Sequence, residues 1–219
     1  GFANINLIGV DPCAKGTGIG GKLLDVLEKH TAASRLNLVR LGTPYARTFY
    51  EKYGYTCAKI DEKYVIELVG KPLPPLPDCV IQPILPTDLP QLLPLIPAEI
   101  QFDFLTAYYR YTSPALSFLM RAHGAPLGLG LLATREHENC DVPGGIPGLV
   151  TLAFHHLFPG ADPASLISAA IRTATYNAAA RLGVAIDEND PLRATLHDFG
   201  FTLSAHPAFW TMYTMEKEI

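Results

Sequence analysis

The sequence predicts an α/β fold: a mixed sheet flanked by helices, arranged as two units. Three observations lead there. Strand-like apolar runs (Ile5, Leu7, Ile8 and Val10; Tyr64 to Val69; Gly148 to Phe154) alternate with helical patterns. Four prolines fall within the six residues from Pro72 to Pro77 and interrupt that alternation. Beyond them, Phe199-Gly200-Phe201 repeats Tyr53-Gly54-Tyr55, the mark of a duplicated unit.

Taken in order, Asn4–Val10 is expected as a buried strand. It stops at Pro12 and passes through Gly16, Gly18, Gly20 and Gly21 into a helix over about Ile19–Ala32. That helix carries Leu23, Leu24 and Leu27 on one face, with Asp25, Glu28 and Lys29 opposite. Strand, glycine-rich turn and helix present consecutive backbone amides and a partial positive charge to a phosphate. A tight turn alone would also account for the glycines. A Rossmann fingerprint fits less well, because no acidic residue on a second strand follows about 20 residues later. A Walker loop is excluded, since no Gly-Lys-Ser/Thr closes the run.

A strand at Leu36–Leu41, a helix at about Tyr45–Lys52 and a strand at about Lys63–Val69 complete the first half. Prolines in the interval 71–78 cannot sit in a helix interior or a central strand, so that stretch is expected as a semi-rigid linker. The boundaries are then 1–70, a linker at 71–78, and a second unit at 79–219. There, Val80–Leu85 reads as a strand and Pro86-Thr87-Asp88 as a helix start with Thr87 or Asp88 as N-cap. A helix at about Pro114–Ala122 and strands at Pro126–Thr134 and Gly148–Phe154 follow, the last two joined by an exposed loop from Glu136 to Gly148. Asp162-Pro163-Ala164-Ser165 caps a long helix to about Leu182. A strand at Val184–Ile186, a short helix to Leu196 and a strand at Trp210–Met215 end the chain.

Composition narrows the function classes. The 219 residues are 48% apolar and 17% charged, enough for a sizeable core. A net charge of −4 without a Lys/Arg cluster argues against nucleic acid as the main partner. No apolar run reaches the roughly 18 residues of a membrane span, and no signal peptide opens the sequence. Cys13, Cys57, Cys79 and Cys140 form no Cys-x-x-Cys pair, so free thiols in a reducing, cytoplasmic setting are expected, with no metal. Gly rather than Met at the first position points to a trimmed or excised segment of a longer chain.

The run Val10-Asp11-Pro12-Cys13-Ala14-Lys15-Gly16-Thr17-Gly18-Ile19-Gly20 resembles the acetyl-CoA pyrophosphate loop of the GNAT acyltransferase superfamily, with Lys15 in place of the usual Gln or Arg. A second segment, Thr43 to Tyr55, is similar to the same family's Asn-x-x-Ala-x-x-Phe-Tyr-x-x-x-Gly-Phe. Here Thr43 replaces Asn and Tyr55 replaces Phe. The resemblance implies that the amides of Lys15, Gly16, Thr17, Gly18, Ile19, Gly20 and Gly21 hold a pyrophosphate. It further implies that Ile8, Gly9 and Val10 pair with pantetheine and the acyl carbonyl, beside Thr43 and Phe49. Tyr50 falls on the family's general acid.

Only the second half of a GNAT domain is matched by residues 1–70; the strands and helices that normally precede it are absent. An open edge at Asn4–Val10 should therefore be covered by an upstream segment, a second copy of the chain (a homodimer), or the second unit. The second unit resembles a degenerate GNAT copy. Gly54 lies 36 positions after Gly18, and 36 positions before Gly200 is Ala164, where a helix begins. In that frame Asn189 takes the place of Thr43, and Leu196 that of Tyr50. Asp162 and its flanking prolines disfavour a pyrophosphate there.

The general base is sought at Asp187 and Asp190, with Glu188 and the His155-His156 pair as further candidates; carboxylates at such a junction also serve as helix caps. Tyr108, Tyr109 and Tyr111 could line an amine- or sugar-binding cleft or pack a core. The implied activity is acetyl transfer from acetyl-CoA to a small-molecule primary amine. A second resemblance, of organisation rather than motif, is to the GNAT region of fungal family 3 β-N-acetylglucosaminidases, which implies glucosamine as acceptor. The competing class is a non-catalytic GNAT-like module for binding, assembly or regulation.

Overall fold

The computed structural model describes residues 1–5, 8–43, 46–75, 78–110, 112–134, 147–205 and 211–219. Contacts divide the chain into two compact units, Gly1–Glu62 with Trp210–Ile219, and Lys63–Phe209. The proline-rich stretch runs within the second of these. The Pro74 carbonyl accepts from Arg172 Nη1 at 2.7 Å and that of Pro75 from Ser168 Oγ at 2.6 Å.

The first unit holds β1 (Phe2–Ile5), α1 (Ile19–Ala33), β2 (Leu38–Thr43), α2 (Arg47–Lys52), the start of β3 (Thr56–Glu67), and β10 (Met212–Glu218). Strand β1 ends at Ile5, earlier than the expected Val10; residues 8–10 are not strand, and Asn6 and Leu7 lie outside the described residues. β1 pairs in parallel with β2 through Phe2↔Leu38 to Ile5↔Leu41. The chain's last strand, β10, lies between β2 and β3 and pairs antiparallel with both, Met215 facing Leu41 on one side and Cys57 on the other. The order is β1-β2-β10-β3, with no described strand on the outer edge of β1. Leu24, Val39, Leu41, Tyr50, Tyr55 and Met215 form the core beneath it.

The second unit has β4 (Val80–Gln82), α3 (Leu89–Leu92), α4 (Ala98–Arg110), β5 (Ser117–Ala122), β6 (Ala125–Thr134), β7 (Leu149–Leu157), α5 (Pro163–Tyr176), β8 (Arg181–Asp187), α6 (Leu192–Asp198) and β9 (Thr202–Leu203). From β8 outward the order is β7-β6-β5-β4, and the end of β3 lies beside β8 and pairs with β9 through Tyr64↔Leu203. One face is packed by α5 around Phe118, Leu152, Leu166, Ile167 and Val184, the other by α4 around Phe104, Leu119, Leu129 and Phe158. Parallel pairing of β7 with β8 stops at Leu152↔Val184, while β7 continues along β6 to Leu157.

Several expectations need correction. Residues 114–122 are not a helix: a single 3-10 turn at Pro114–Leu116 leads into β5, whose Ser117–Met120 are buried on both faces. A run so buried reads alike as helix or strand. The helix of this region is α4, which the sequence reading missed. α5 stops at Tyr176, well before Leu182, because Asn177 caps it and Ala178 turns to φ 57°. β3 is 12 residues long and starts at Thr56, ahead of the expected Lys63. The loop expected from Glu136 lies outside the described residues up to residue 146, as do Cys140, Tyr111 and Trp210. No helix of the described residues is long and apolar enough to cross a membrane.

Candidate active site

The glycine loop starts from a small scaffold. Asp11 Oδ1 accepts from the Cys13 amide at 2.7 Å, Thr17 Oγ1 donates to the Ala14 carbonyl, and one 3-10 turn spans Pro12–Ala14. Gly16 and Gly18 then take φ +85° and +82°, and a side-chain carbon at either would meet nothing within 4 Å. Gly18 is the N-cap of α1 and brings no side chain to cap it. The first ladder bond runs from the Lys22 amide to the Gly18 carbonyl, so the amides of Ile19, Gly20 and Gly21 precede the ladder. Lys15, Gly16, Thr17, Gly18 and Ile19 are all exposed. Two of the seven amides expected to hold a pyrophosphate are already used within the turn, that of Lys15 by the Pro12 carbonyl and that of Thr17 by the Ala14 carbonyl; the rest is an open turn beside the exposed Lys15 side chain. Those features suit a pyrophosphate, so the residues present fit acetyl-CoA.

The second segment is built around α2. Thr43, at the end of β2, accepts the Ala46 amide on its hydroxyl at 3.0 Å, which turns the chain into α2. That is the capping an Asn at this position could also give. At the far end Gly54, φ +83°, closes the helix: its amide donates to the Glu51 carbonyl and the Tyr55 amide to that of Tyr50. This is a Schellman cap, with the accompanying hydrophobic contact between Tyr55 and Tyr50, ring centroids 5.7 Å apart. Tyr50 is thereby fixed by both neighbours, Phe49 lying edge-on at 5.1 Å.

Tyr50 is 5% exposed, and burial raises its pKa above the ordinary value of 10. Tyr55, at 2% exposed, holds the one buried side-chain oxygen without a hydrogen-bond partner among the described residues. Its pKa is pushed up strongly, by burial first and then by the Glu28 carboxylate. Glu28 itself pairs with Lys217 of β10 at 2.7 Å.

Ile8, Gly9, Val10, Lys15 to Gly21, Thr43, Phe49 and Tyr50 all lie in the first unit; contacts join Ile8 and Phe49 to the core around Tyr50, and Gly20 faces Phe49 and Val10. Asp187 and Asp190 belong to the second, where they build the turn after β8. Asp187 Oδ1 accepts from the Asn189 amide at 2.9 Å and Asp190 Oδ1 from that of Leu192 at 2.8 Å. His155, on the part of β7 beyond its pairing with β8, feels the Asp190 charge, although burial dominates and lowers its pKa. Phe201 and Leu196 repeat the helix cap of Tyr55 and Tyr50, with Gly200 at φ +81°. Asp162 fills the start of α5, accepting from the Ala164 and Ser165 amides at 3.1 Å each. No group of three or more His, Cys, Asp or Glu side chains that could hold a metal occurs among the described residues. The strand expected at the end of the chain is β10, but its place between β2 and β3 was missed by sequence reasoning, as was the packing of Tyr53; the only signal for Tyr53 was a second glycine directly after Gly20.

An open turn ahead of α1, a capped short helix carrying a buried tyrosine, and a repeat of that cap on α6 define a mixed α/β fold with an internal echo. Comparison with known proteins makes this specific. Residues 2–57 match the family model of the acetyltransferase (GNAT) domain. Over 99% of its length the chain superposes on a GCN5-related N-acetyltransferase from Sphaerobacter thermophilus, with TM-score 0.72, 14% identity and 73% of that chain covered. A GCN5-related glucosamine N-acetyltransferase region of a fungal multi-domain GH3 β-N-acetylglucosaminidase gives TM-score 0.72 and 13% identity. There 97% of this chain and 29% of that chain are covered. A tandem GNAT protein from the clavulanic acid biosynthesis pathway gives TM-score 0.66 at 12% identity, covering 99% of this chain and 75% of that one. The chain thus spans from under a third to three quarters of these proteins. No curated protein matches it. The fold is that of the GCN5-related N-acetyltransferases.

Proposed function

We propose that the chain is an N-acetyltransferase that uses acetyl-CoA and passes the acetyl group directly to a primary amine. The observation that carries this reading is the open turn at Gly16 and Gly18 ahead of the α1 amides, in the same unit as the buried Tyr50. When bound, acetyl-CoA supplies an activated acyl thioester. The amides of Gly16, Gly18, Ile19 and Gly20 and the Lys15 ammonium hold its pyrophosphate, and Ile8 to Val10 pair with its pantetheine arm; the Thr17 amide is already given to the Ala14 carbonyl, and Gly21 is buried against the Tyr53 ring. Tyr50 keeps its proton through neutral pH and serves as general acid toward the departing thiolate. Asp187 and Asp190 are the candidates for accepting the amine's proton. The acceptor class is an amino sugar, glucosamine first, supported by the likeness to the fungal region.

Thiol release from acetyl-CoA in the presence and absence of glucosamine tests the reading, alongside calorimetric titration with CoA. Saturable binding with glucosamine-dependent thiol release is expected. Turnover on none of the amines offered, with or without CoA binding, would overturn the enzyme reading and leave the non-catalytic module; no binding at all would also overturn the donor site.

A further inference from the structure

The four glycines of the loop do two different jobs. Gly16 and Gly18 face open space and are required by their positive φ, whereas Gly20 and Gly21 face aromatic rings. A side-chain carbon at Gly20 would come within 3.0 Å of Phe49 Cζ. One at Gly21 would fall on the Tyr53 hydroxyl, with Tyr53 Cζ at 2.5 Å and Cε1 at 2.6 Å. Real Cβ atoms do not approach ring carbons so closely, so the phenol occupies the volume that a side chain at Gly21 would need. Phe49 and Tyr53 stand one helical turn apart with ring centroids 5.0 Å from each other, and Tyr50 lies between them in sequence. The Tyr53 ring therefore lies against Gly21 in the first turn of α1, among the amides that precede the ladder.

From this we infer that Tyr53 is a positioning residue. Its ring, seated on Gly21, sets the spacing between the start of α1 and α2, and so holds the Tyr50 hydroxyl in register with the acyl donor. The inference rests on the reading of Gly16–Gly20 as the donor site and Tyr50 as the acid. A methyl at position 21 must push the phenol away. Tyr53 is the C-cap of a six-residue helix, so that push moves Tyr50 with it. The turn at Gly16 and Gly18 has no part in this contact, so donor binding survives. Catalytic rate is the quantity that suffers, since misplacing a reacting group by about 1 Å can cost on the order of 100-fold.

The test compares Gly21→Ala, and Gly21→Ala combined with Tyr53→Leu, in the full chain. The readouts are kcat and KM for acetyl-CoA with glucosamine as acceptor, CoA affinity by calorimetry, and the thermal midpoint. Gly21→Ala is expected to lower kcat about tenfold or more, to leave CoA affinity within about threefold, and to lower the thermal midpoint. The double variant, which removes the overlapping ring atoms and returns a methyl in their place, should recover most of the lost kcat and midpoint. Wild-type kcat in Gly21→Ala, a loss carried by CoA affinity instead, or a double variant no better than the single would each overturn the inference. The thermal arm needs no activity. Rescue of the midpoint in a chain that neither binds CoA nor releases thiol would uphold the contact while overturning the donor-site reading, and with it the role given to Tyr53.

Discussion

At Tyr50 a single proton decides the chemistry. Burial disfavours the phenolate, so the hydroxyl stays protonated beyond its ordinary value of 10 and the basic limb of a rate profile moves upward. Tyr50→Phe keeps the ring packed between Phe49 and Tyr55 and removes only that proton. Turnover should fall about 10²–10⁴-fold and lose its basic limb, with CoA affinity held; a pH–rate series on both proteins checks it. Gly18 carries the complementary prediction for binding. Gly18→Asp forces a Cβ onto φ +82° and sets a carboxylate beside the free amides. The left-handed strain alone costs about 1–2 kcal/mol, and the charge adds to it, so calorimetry should show CoA affinity down by roughly tenfold or more. Both residues were legible in the sequence, because each sits inside a contiguous motif whose spacing survives folding. Tyr53 was not, since its partner Gly21 lies on another element and only packing joins them.

Between residues and the whole fold, the caps carry the repeat. Gly54 and Gly200 close α2 and α6 with the same pair of backbone bonds, and Tyr55 on Tyr50 becomes Phe201 on Leu196. The Phe-Gly-Phe echo was visible in the sequence because a left-handed cap demands glycine and its hydrophobic contact demands a fixed offset. β5 was misread because both its faces are covered, which erases the period of two that marks a strand. The turn after β8 supplies a test of the proposed base. Asp190→Asn keeps an oxygen for the Leu192 amide and removes the basicity, so a drop in kcat at an unchanged thermal midpoint would assign Asp190 to the chemistry. An unchanged kcat would leave it as a cap. His155 adds a pH dependence of stability. Its folded pKa is lowered by burial, a shift that the Asp190 charge partly opposes and that of His156 reinforces. The unfolded chain therefore binds the proton more readily. The stability this group contributes is complete above the unfolded value of about 6.5 and is lost as pH falls from there through the folded value. Urea unfolding at pH 8 and pH 5.5 should show the loss, and His155→Gln should shrink it.

The chain is folded by reciprocal loan of strands. The first unit's sheet is completed between β2 and β3 by β10, the last strand of the chain, and the second unit receives the end of β3 between β8 and β9. Sequence reading found both strands but not their neighbours, because a strand's pattern tells which face is buried and says nothing about which neighbours it takes. The loan ties the proposed donor site to residues far away in sequence. Met215 of β10 is fully buried in the core that also holds Tyr50 and Leu24, and Lys217 is bonded to Glu28 on α1. Thr214 pairs with Gly42 on one side and Lys59 on the other. Proline at 214 removes a backbone donor and fixes φ in a strand paired on both sides; the ladder to β3 already shifts register just after this residue, whereas the ladder to β2 is unbroken from Tyr213 to Glu218 and is the one at stake. Met215→Ala is milder, deleting a buried side chain at a cost of about 2–5 kcal/mol while keeping the backbone ladder. In the full chain, Met215→Ala should lower the thermal midpoint and leave CoA binding measurable. Thr214→Pro should abolish binding at Gly16–Gly20 and speed amide hydrogen exchange at Val39 and Leu41 of β2. Retained CoA affinity in Thr214→Pro, with slow exchange at both amides, would show that the first unit closes its sheet without the borrowed strand.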